Sequence, residues 1–223
     1  MTEKIVIAID GPSGSGKSSV SKAVARHFGL EYLDTGAMYR ALTWHVVRSG
    51  ASLEDPAAII AAAEDFPLQQ GTNPDAESIL VGGTDVAEEI RSPEISSAVS
   101  AVAAVPRVRE ILIQLQRDFI AGASAGIVAE GRDITTVVAP DADARLLLTA
   151  SEEVRMARRG LQLGGTQNAE QLKAQVAERD AKDSRVNNFT EAADGVVTID
   201  STDLDYEATV AATIAAVQKQ LNR

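Results

Sequence analysis

A chain of 223 residues, 45% hydrophobic, with 32 acidic against 21 basic side chains and a net charge of -11, has room for one sizeable domain with its own core. Its overall field repels polyanions such as nucleic acid and anionic membrane, so any anionic ligand must be held by a local basic cluster. No cysteine is present, which excludes disulfides, thiolate metal sites and a cysteine nucleophile; no apolar run approaches the ~20 residues of a membrane helix and the start MTEKIVIAID lacks a signal-peptide pattern, so a cytoplasmic protein is expected.

KIVIAID at residues 4–10 is a short apolar, β-branched run without a breaker, the pattern of a strand buried on both faces of a parallel sheet. GPSGSGKSS at 11–19 follows it directly. Over 17–28 the residues Val20, Ala23, Val24 and Phe28 recur at helical spacing, and Gly29 is placed to stop that helix. A glycine loop therefore joins a strand to a helix. The short LEYLDTG segment leads into a helix over about 37–47, and PAAIIAAAED reads as another. Residues 66–92 differ in texture: short alternating runs such as SILV are broken by Gly-Thr-Asn-Pro and Gly-Gly, which predicts a small antiparallel insertion. Helical patterns resume at SPEISSAVSAVAAV and PRVREILIQLQRDFI, and strand-like pieces follow at GIVAEGRD, ARLLLTA and GVVTID. Strands alternating with helices indicate an α/β domain with a mainly parallel sheet. LGGTQ at 163–167 reads as a loop between two helices.

Gly11 to Ser18 match G-x-x-x-x-G-K-[ST] in the context that the chemistry requires, after a buried strand and opening a helix. Glycines let the backbone curl so that successive N–H groups point inward, and the helix start adds unsatisfied donors and partial positive charge. Gly11, Pro12, Ser13, Gly14, Ser15, Gly16, Lys17, Ser18 and Ser19 thus read as a phosphate cradle for ATP or GTP. Lys17 would reach the β- and γ-phosphates, with the Ser18 hydroxyl on a bridging Mg²⁺. A flexible Gly/Ser connector would have no need of Lys-Ser at a helix start.

Three fates of the nucleotide are separable. A regulatory GTPase needs Asn-Lys-x-Asp and Asp-x-x-Gly, and neither string occurs. An energy-coupling ATPase calls for a hydrophobic run ending in acids; GVVTID ends in Asp200, but a closing strand near the C-terminus explains it. A small-molecule kinase needs a second anion site facing the first. Candidates are the arginines Arg40, Arg107, Arg109, Arg132, Arg155, Arg158, Arg159, Arg179 and Arg185, planar bidentate donors suited to phosphate and carboxylate oxygens. In SEEVRMARRG the three at 155, 158 and 159 share one helix face; ordinary surface pairing is the alternative for any single one.

The blocks IDGPSGSGKSS, YLDTGAMYRA, VPRVRE, EGRD, TVVAPDA and ERDAKDS, in this order and spacing, closely resemble bacterial cytidylate kinases over nearly the whole chain, DTGAMYR with EGRD being the specific pair. The resemblance implies transfer of the γ-phosphoryl of ATP to CMP or dCMP, with Mg²⁺. It implies one P-loop NTPase domain over 1–223: a parallel sheet flanked by helices, a nucleoside-monophosphate-binding part over about 36–106 enlarged by the antiparallel insertion at 66–92, and a mobile helical lid over about 155–186. It places Thr35, Arg109 and Asp133 at cytosine with Ser100 nearby. Arg40 and Arg132 would hold the acceptor phosphate, while Tyr39, Arg179 and Asp183 would contact the sugar. Arg155 or Arg158 would meet the ATP phosphates. Without the resemblance, Asp133 could pair with Arg132 or cap a helix, Tyr39 could be core, and Asp34 could be an N-cap.

Chemistry favours these roles. Cytosine offers a donor at N4 and acceptors at N3 and O2, so a carboxylate can accept from N4 while Arg109 donates. Uracil reverses the polarity at position 4 and at N3, a mismatch that buried polar sites penalise strongly. The chain departs from relatives at DSRVNNF, where the arginine is displaced by one position and leaves Arg185 a weak candidate, and at Thr135, where a glycine is common. Nucleic-acid and membrane partners are not expected, and no heptad stripe argues against a monomer. A kinase for UMP or AMP, or a nucleotide-dependent switch without transferase activity, are the alternatives.

Overall fold

The computed structural model describes residues 4–162 and 191–222. Strand β1 (Ile5–Asp10) sends Ile7 and Ile9 to one side of a sheet and Ala8 to the other, and all three are fully buried. Such a strand must be apolar on both faces because helices cover both. On the first face, Val20 and Val24 of α1 (Lys17–Phe28) and Val217 of α7 (Tyr206–Leu221) pack on Ile7, Ile9, Leu146 and Leu148. On the second, Ile113 and Phe119 of α5 (Pro106–Gly122) and Met38 of α2 (Thr35–Arg48) pack on Ala8, Leu33, Ile127 and Ala129.

Five strands, all parallel, run in the order β2 (Glu31–Asp34), β6 (Gly126–Gly131), β1, β7 (Ala144–Thr149), β8 (Val197–Asp200). The chain leaves β1 for one side of the sheet and later returns to its other side. Ligand crevices form at the carboxyl ends of strands at such a reversal. Register lines up Asp34 with Glu130 and Asp10 with Gly131 along that edge.

The antiparallel insertion is present as β3 (Leu68–Gln70), β4 (Ile79–Val81) and β5 (Thr84–Asp85). Gly82 and Gly83, at φ 57° and 80°, form the two-residue turn that only left-handed residues close well. Ile79, Val81, Val86 and Ile90 fasten this small sheet to Ala37 and Ala41 of α2. Helices α3 (Pro56–Glu64), α4 (Pro93–Ala103) and α5 complete the layer around Leu42 and Val46. Helix α6 (Glu152–Gln162) follows β7.

Three features go beyond the sequence expectations. Helix α2 starts at Thr35 rather than 37, because the Asp34 carboxylate accepts from the Ala37 N–H at 2.8 Å and caps it. A turn of π-helix occupies Ile134–Val138. Helix α7, not anticipated, is capped by Asp205, which accepts from the Ala208 N–H at 2.8 Å. No helix among the described residues is long and apolar enough to cross a membrane.

Candidate phosphoryl-transfer site

The loop between β1 and α1 curls because its glycines allow it. Gly16, the residue before Lys17, has φ 86°, and a Cβ on Gly11 would lie 2.1 Å from the Leu148 carbonyl oxygen. No side chain caps α1 and no acid stands in its first turn, so its first N–H groups are left for an anion. The buried Ser15 Oγ has no hydrogen-bond partner among the described residues. Such orphaned donors suit phosphate oxygens.

Beside this cradle the strand ends supply acids. Glu130, on β6 next to β1, is 2% exposed and lies 3.8 Å from the Lys17 ammonium. It accepts from the Tyr32 hydroxyl at 2.8 Å, and Ser18 stands on the same cavity wall. Burial pushes the Glu130 carboxyl up, with Lys17 opposing. Burial also acts upward on Asp34, but Arg40, 3.1 Å away, and the Ala37 N–H hold it below the usual carboxylate range.

A cavity of about 1030 Å³ extends from the cradle. Its walls carry six guanidinium-bearing residues: Arg40, Arg91, Arg109, Arg132, Arg158 and Arg159. Arg159 is pushed down by burial and by its like-charged neighbours Arg40 and Arg91, so these three form an electropositive patch in an otherwise acidic protein. Asp133, 5% exposed, pairs through Oδ2 with Arg109 at 2.5 Å. The alternative partner, Arg132, is therefore not the one chosen. The Thr35 hydroxyl donates to the Glu130 carbonyl at 2.7 Å.

Asp10 ties the two halves of the site together. Its carboxylate, the last of β1, accepts from the N–H groups of Ile134 and Thr135 at 2.9 and 2.8 Å and from the Thr135 hydroxyl at 2.6 Å. The strand that feeds the glycine loop is thus bonded to the turn that directly follows Arg132 and Asp133. Burial lifts the Asp10 carboxyl to about 6, against those hydrogen bonds and with help from Asp133. Thr135, a position where relatives commonly carry glycine, needs no positive φ: among the described residues only glycines have one.

Of the residues singled out in the sequence, Ser13 to Ser19, Thr35, Tyr39, Arg40, Ser100, Arg109, Arg132, Asp133 and Arg158 line this one cavity. Gly11, Pro12 and Arg155 are not on its wall. Arg155 instead donates to the Ser13 carbonyl at 2.9 Å, supporting the loop from behind. Asp34 caps its helix and pairs with Arg40, and Tyr39 both lines the cavity and packs against the core. Arg179, Asp183, Arg185 and the LGGTQ segment lie outside the described residues. Arg159, one of the candidate arginines, lines the cavity as well, whereas Glu130, Arg91, Leu204, Asp205, Tyr206 and Thr209 were not foreseen. A signal for Glu130 existed: GIVAE is an apolar run ending in an acid, on the strand adjacent to β1.

The family model for cytidylate kinase matches residues 7–219. A cytidylate kinase of Streptomyces avermitilis is 48% identical, covering 97% of this chain and 94% of its own. One of Rhodococcus jostii is 46% identical over 98% and 97%. Among solved structures, TT1252 from Thermus thermophilus superposes with a TM-score of 0.52 over 98% of both chains at 21% identity, a likeness of fold.

Proposed function

The chain belongs to the cytidylate kinase family and transfers the γ-phosphoryl of ATP to CMP or dCMP, and we propose that this cavity divides the work as follows. The carrying observation is that one cavity joins an uncapped phosphate loop to a buried Arg109–Asp133 pair. Residues 11–19 hold the triphosphate, with Lys17 on its terminal phosphates. Asp133 accepts from cytosine N4 and Arg109 donates to its acceptors, with Thr35 and Ser100 alongside. Arg40 and Arg132 bind the acceptor phosphate; Tyr39, Arg179 and Asp183 reach the sugar. Arg158, and Arg155 through the loop, support the donor phosphates.

No nucleophilic side chain is required, because the acceptor phosphate is itself the nucleophile. The residues need only align it with the γ-phosphorus, exclude water and neutralise charge on the equatorial oxygens. Mg²⁺ fits this site: the donors beside the loop are hard oxygens, the Ser18 hydroxyl and the Glu130 carboxyl on the same wall. When bound, the cation would offset the charge that builds up on the phosphate oxygens.

The small sheet over 68–85 and the helices around it support a nucleoside-monophosphate-binding part over 36–106, and Arg155 and Arg158 on α6 support a lid that begins near 155. A cytoplasmic monomer is part of the same proposal, in keeping with the absence of cysteine. The test is ADP release from Mg·ATP with CMP, dCMP, UMP, AMP or no acceptor in parallel. Release strongest with CMP and dCMP is expected; release independent of acceptor, or strongest with AMP, would overturn the assignment of Arg109 and Asp133.

A further inference from the structure

The peptide unit that follows Asp133 is held at both of its polar groups. Its carbonyl accepts from the N–H groups of Val137 and Val138 at 2.8 and 3.1 Å, and its N–H, that of Ile134, goes to one carboxylate oxygen of Asp10. The other oxygen of Asp10 takes both the N–H and the hydroxyl of Thr135, the hydroxyl at 2.6 Å, within the short range of a charge-assisted bond. A single turn of π-helix leaves carbonyls that it cannot satisfy itself, and here two arginines meet them. Arg117 of α5 donates from Nε to the Val138 carbonyl at 3.1 Å and from Nη2 to the Val137 carbonyl at 2.7 Å. Arg145 of β7 donates from Nη1 to the Thr135 carbonyl at 3.2 Å and from Nη2 to the Asp194 carbonyl at 3.0 Å. A carboxylate thus faces the N–H groups of this turn and guanidiniums face its carbonyls, the signs that aligned peptide dipoles favour.

None of Asp10, Thr135, Arg117 and Arg145 is on the cavity wall, whereas Arg132 and Asp133 are. Helix α5 grips the segment twice: Arg109 pairs with the Asp133 carboxylate, and Arg117, about two turns further along, holds the far end of the turn. The fully buried Ile134 plugs the turn into the cluster of Ala8, Leu33 and Met38. Upstream the chain is equally confined, since a Cβ on Gly131 would lie 2.6 Å from Thr35 Oγ1 and 2.7 Å from Ile134 Cδ1. The backbone that carries Arg132 and Asp133 is therefore fixed from both sides.

We infer that the braced turn Ile134–Val138 sets where Arg132 and Asp133 stand against the acceptor nucleotide, so that Thr135 and Arg117 are positioning residues for acceptor recognition although neither touches the acceptor. The inference rests on the acceptor reading of Arg109, Arg132 and Asp133 above. Thr135 bears on it most directly: its hydroxyl bonds the turn to Asp10, the last residue of the strand that feeds the phosphate loop, and so fixes the acceptor carboxylate relative to the donor cradle. A small displacement of Asp133 weakens its bond to the correct base more than it weakens contacts to the wrong one, so the base preference falls with the rate.

The experiment compares the full chain as wild type, Thr135→Val, Thr135→Ser and Arg117→Gln in steady-state kinetics with CMP and UMP. Valine keeps the shape of threonine but has no donor. Thr135→Val is expected to lower kcat/KM for CMP about tenfold, short of the roughly 10²-fold loss from misplacing a group by about 1 Å, and to leave the KM for ATP within about twofold. The CMP-to-UMP ratio of kcat/KM should fall with it, and Thr135→Ser, which keeps the hydroxyl, should restore both values. Arg117→Gln, at an exposed position, should move both in the same direction, and it carries the test if Thr135→Val fails to fold. A lowered urea stability with an unchanged CMP-to-UMP ratio would mark a merely structural brace and overturn the inference, as would equal weakening toward CMP and ATP. Asp133→Asn is measured in parallel. If its ratio is unchanged, the acceptor reading falls and this inference with it; if its ratio moves but those of Thr135→Val and Arg117→Gln do not, this inference alone falls.

Discussion

Asp10 offers a prediction that can be worked in numbers. Its carboxyl is lifted from the ordinary 3.8 to about 6, chiefly because it is buried at the end of β1. At about 1.4 kcal/mol per pH unit this amounts to about 3 kcal/mol of linkage between protonation and folding. A folded-state value above the unfolded one means that the native state binds the extra proton. The resulting stabilisation is fully present below about pH 4 and is lost as pH rises through about 6. Between pH 5 and 7.5, roughly half of it, on the order of 1 kcal/mol, should disappear. Asp10→Asn removes the titration while keeping the side chain's size and one acceptor oxygen. Urea unfolding of both proteins across that range, with the two stabilities subtracted at each pH, cancels the contributions of all other groups. The difference should move against wild type by on the order of 1 kcal/mol from pH 5 to 7.5. Parallel stability curves would refute the burial argument for Asp10, and with it the view that the β1 end is dry when the Ile134–Thr135 turn is bonded to it.

Lys17→Ala and Arg132→Ala should each lower kcat roughly 10²- to 10³-fold, the loss typical of removing one donor to a developing charge, while circular dichroism shows an intact fold. Glu130, already pushed up by burial, takes a proton when Lys17 is removed rather than remaining a lone buried charge; near-wild-type turnover in either variant would refute the assignment. Asp133→Asn puts an amide where a carboxylate faces Arg109. Because the amide can donate to uracil O4, the CMP-to-UMP ratio of kcat/KM should fall roughly 10- to 100-fold. An unchanged ratio in competition assays would show that the base is read elsewhere.

The most local parts of the site were also the most legible. An apolar run, a glycine loop and an amphipathic stretch are adjacent in sequence, and β1, the loop and α1 follow from them in the same order, α1 with the expected bounds 17–28. Gly82-Gly83 between short alternating runs likewise specified its own hairpin. The Arg109–Asp133 pair was different in kind. Nothing in the spacing of Arg109 and Asp133, 24 residues apart on α5 and beyond β6, joins them, and only the resemblance to known kinases put them together in advance. Glu130 was overlooked although its strand ends in the expected way, because no sequence pattern says which strand lies beside β1. Helix α7 escaped notice for a related reason: its buried residues Thr209, Thr213 and Val217 include two threonines, so its core face does not stand out as apolar.

The sequence by itself determined the phosphate cradle, the alternation of strands and helices and the antiparallel insertion, since each depends on interactions among residues a few positions apart. Only the tertiary structure decided that Glu130 would stand against Lys17, that Arg109 rather than Arg132 would take Asp133, and that Asp10 would brace the Ile134–Thr135 turn. These contacts are set by strand order and register, which arise from burying two faces of one sheet at once, a condition that no short stretch of the chain can express.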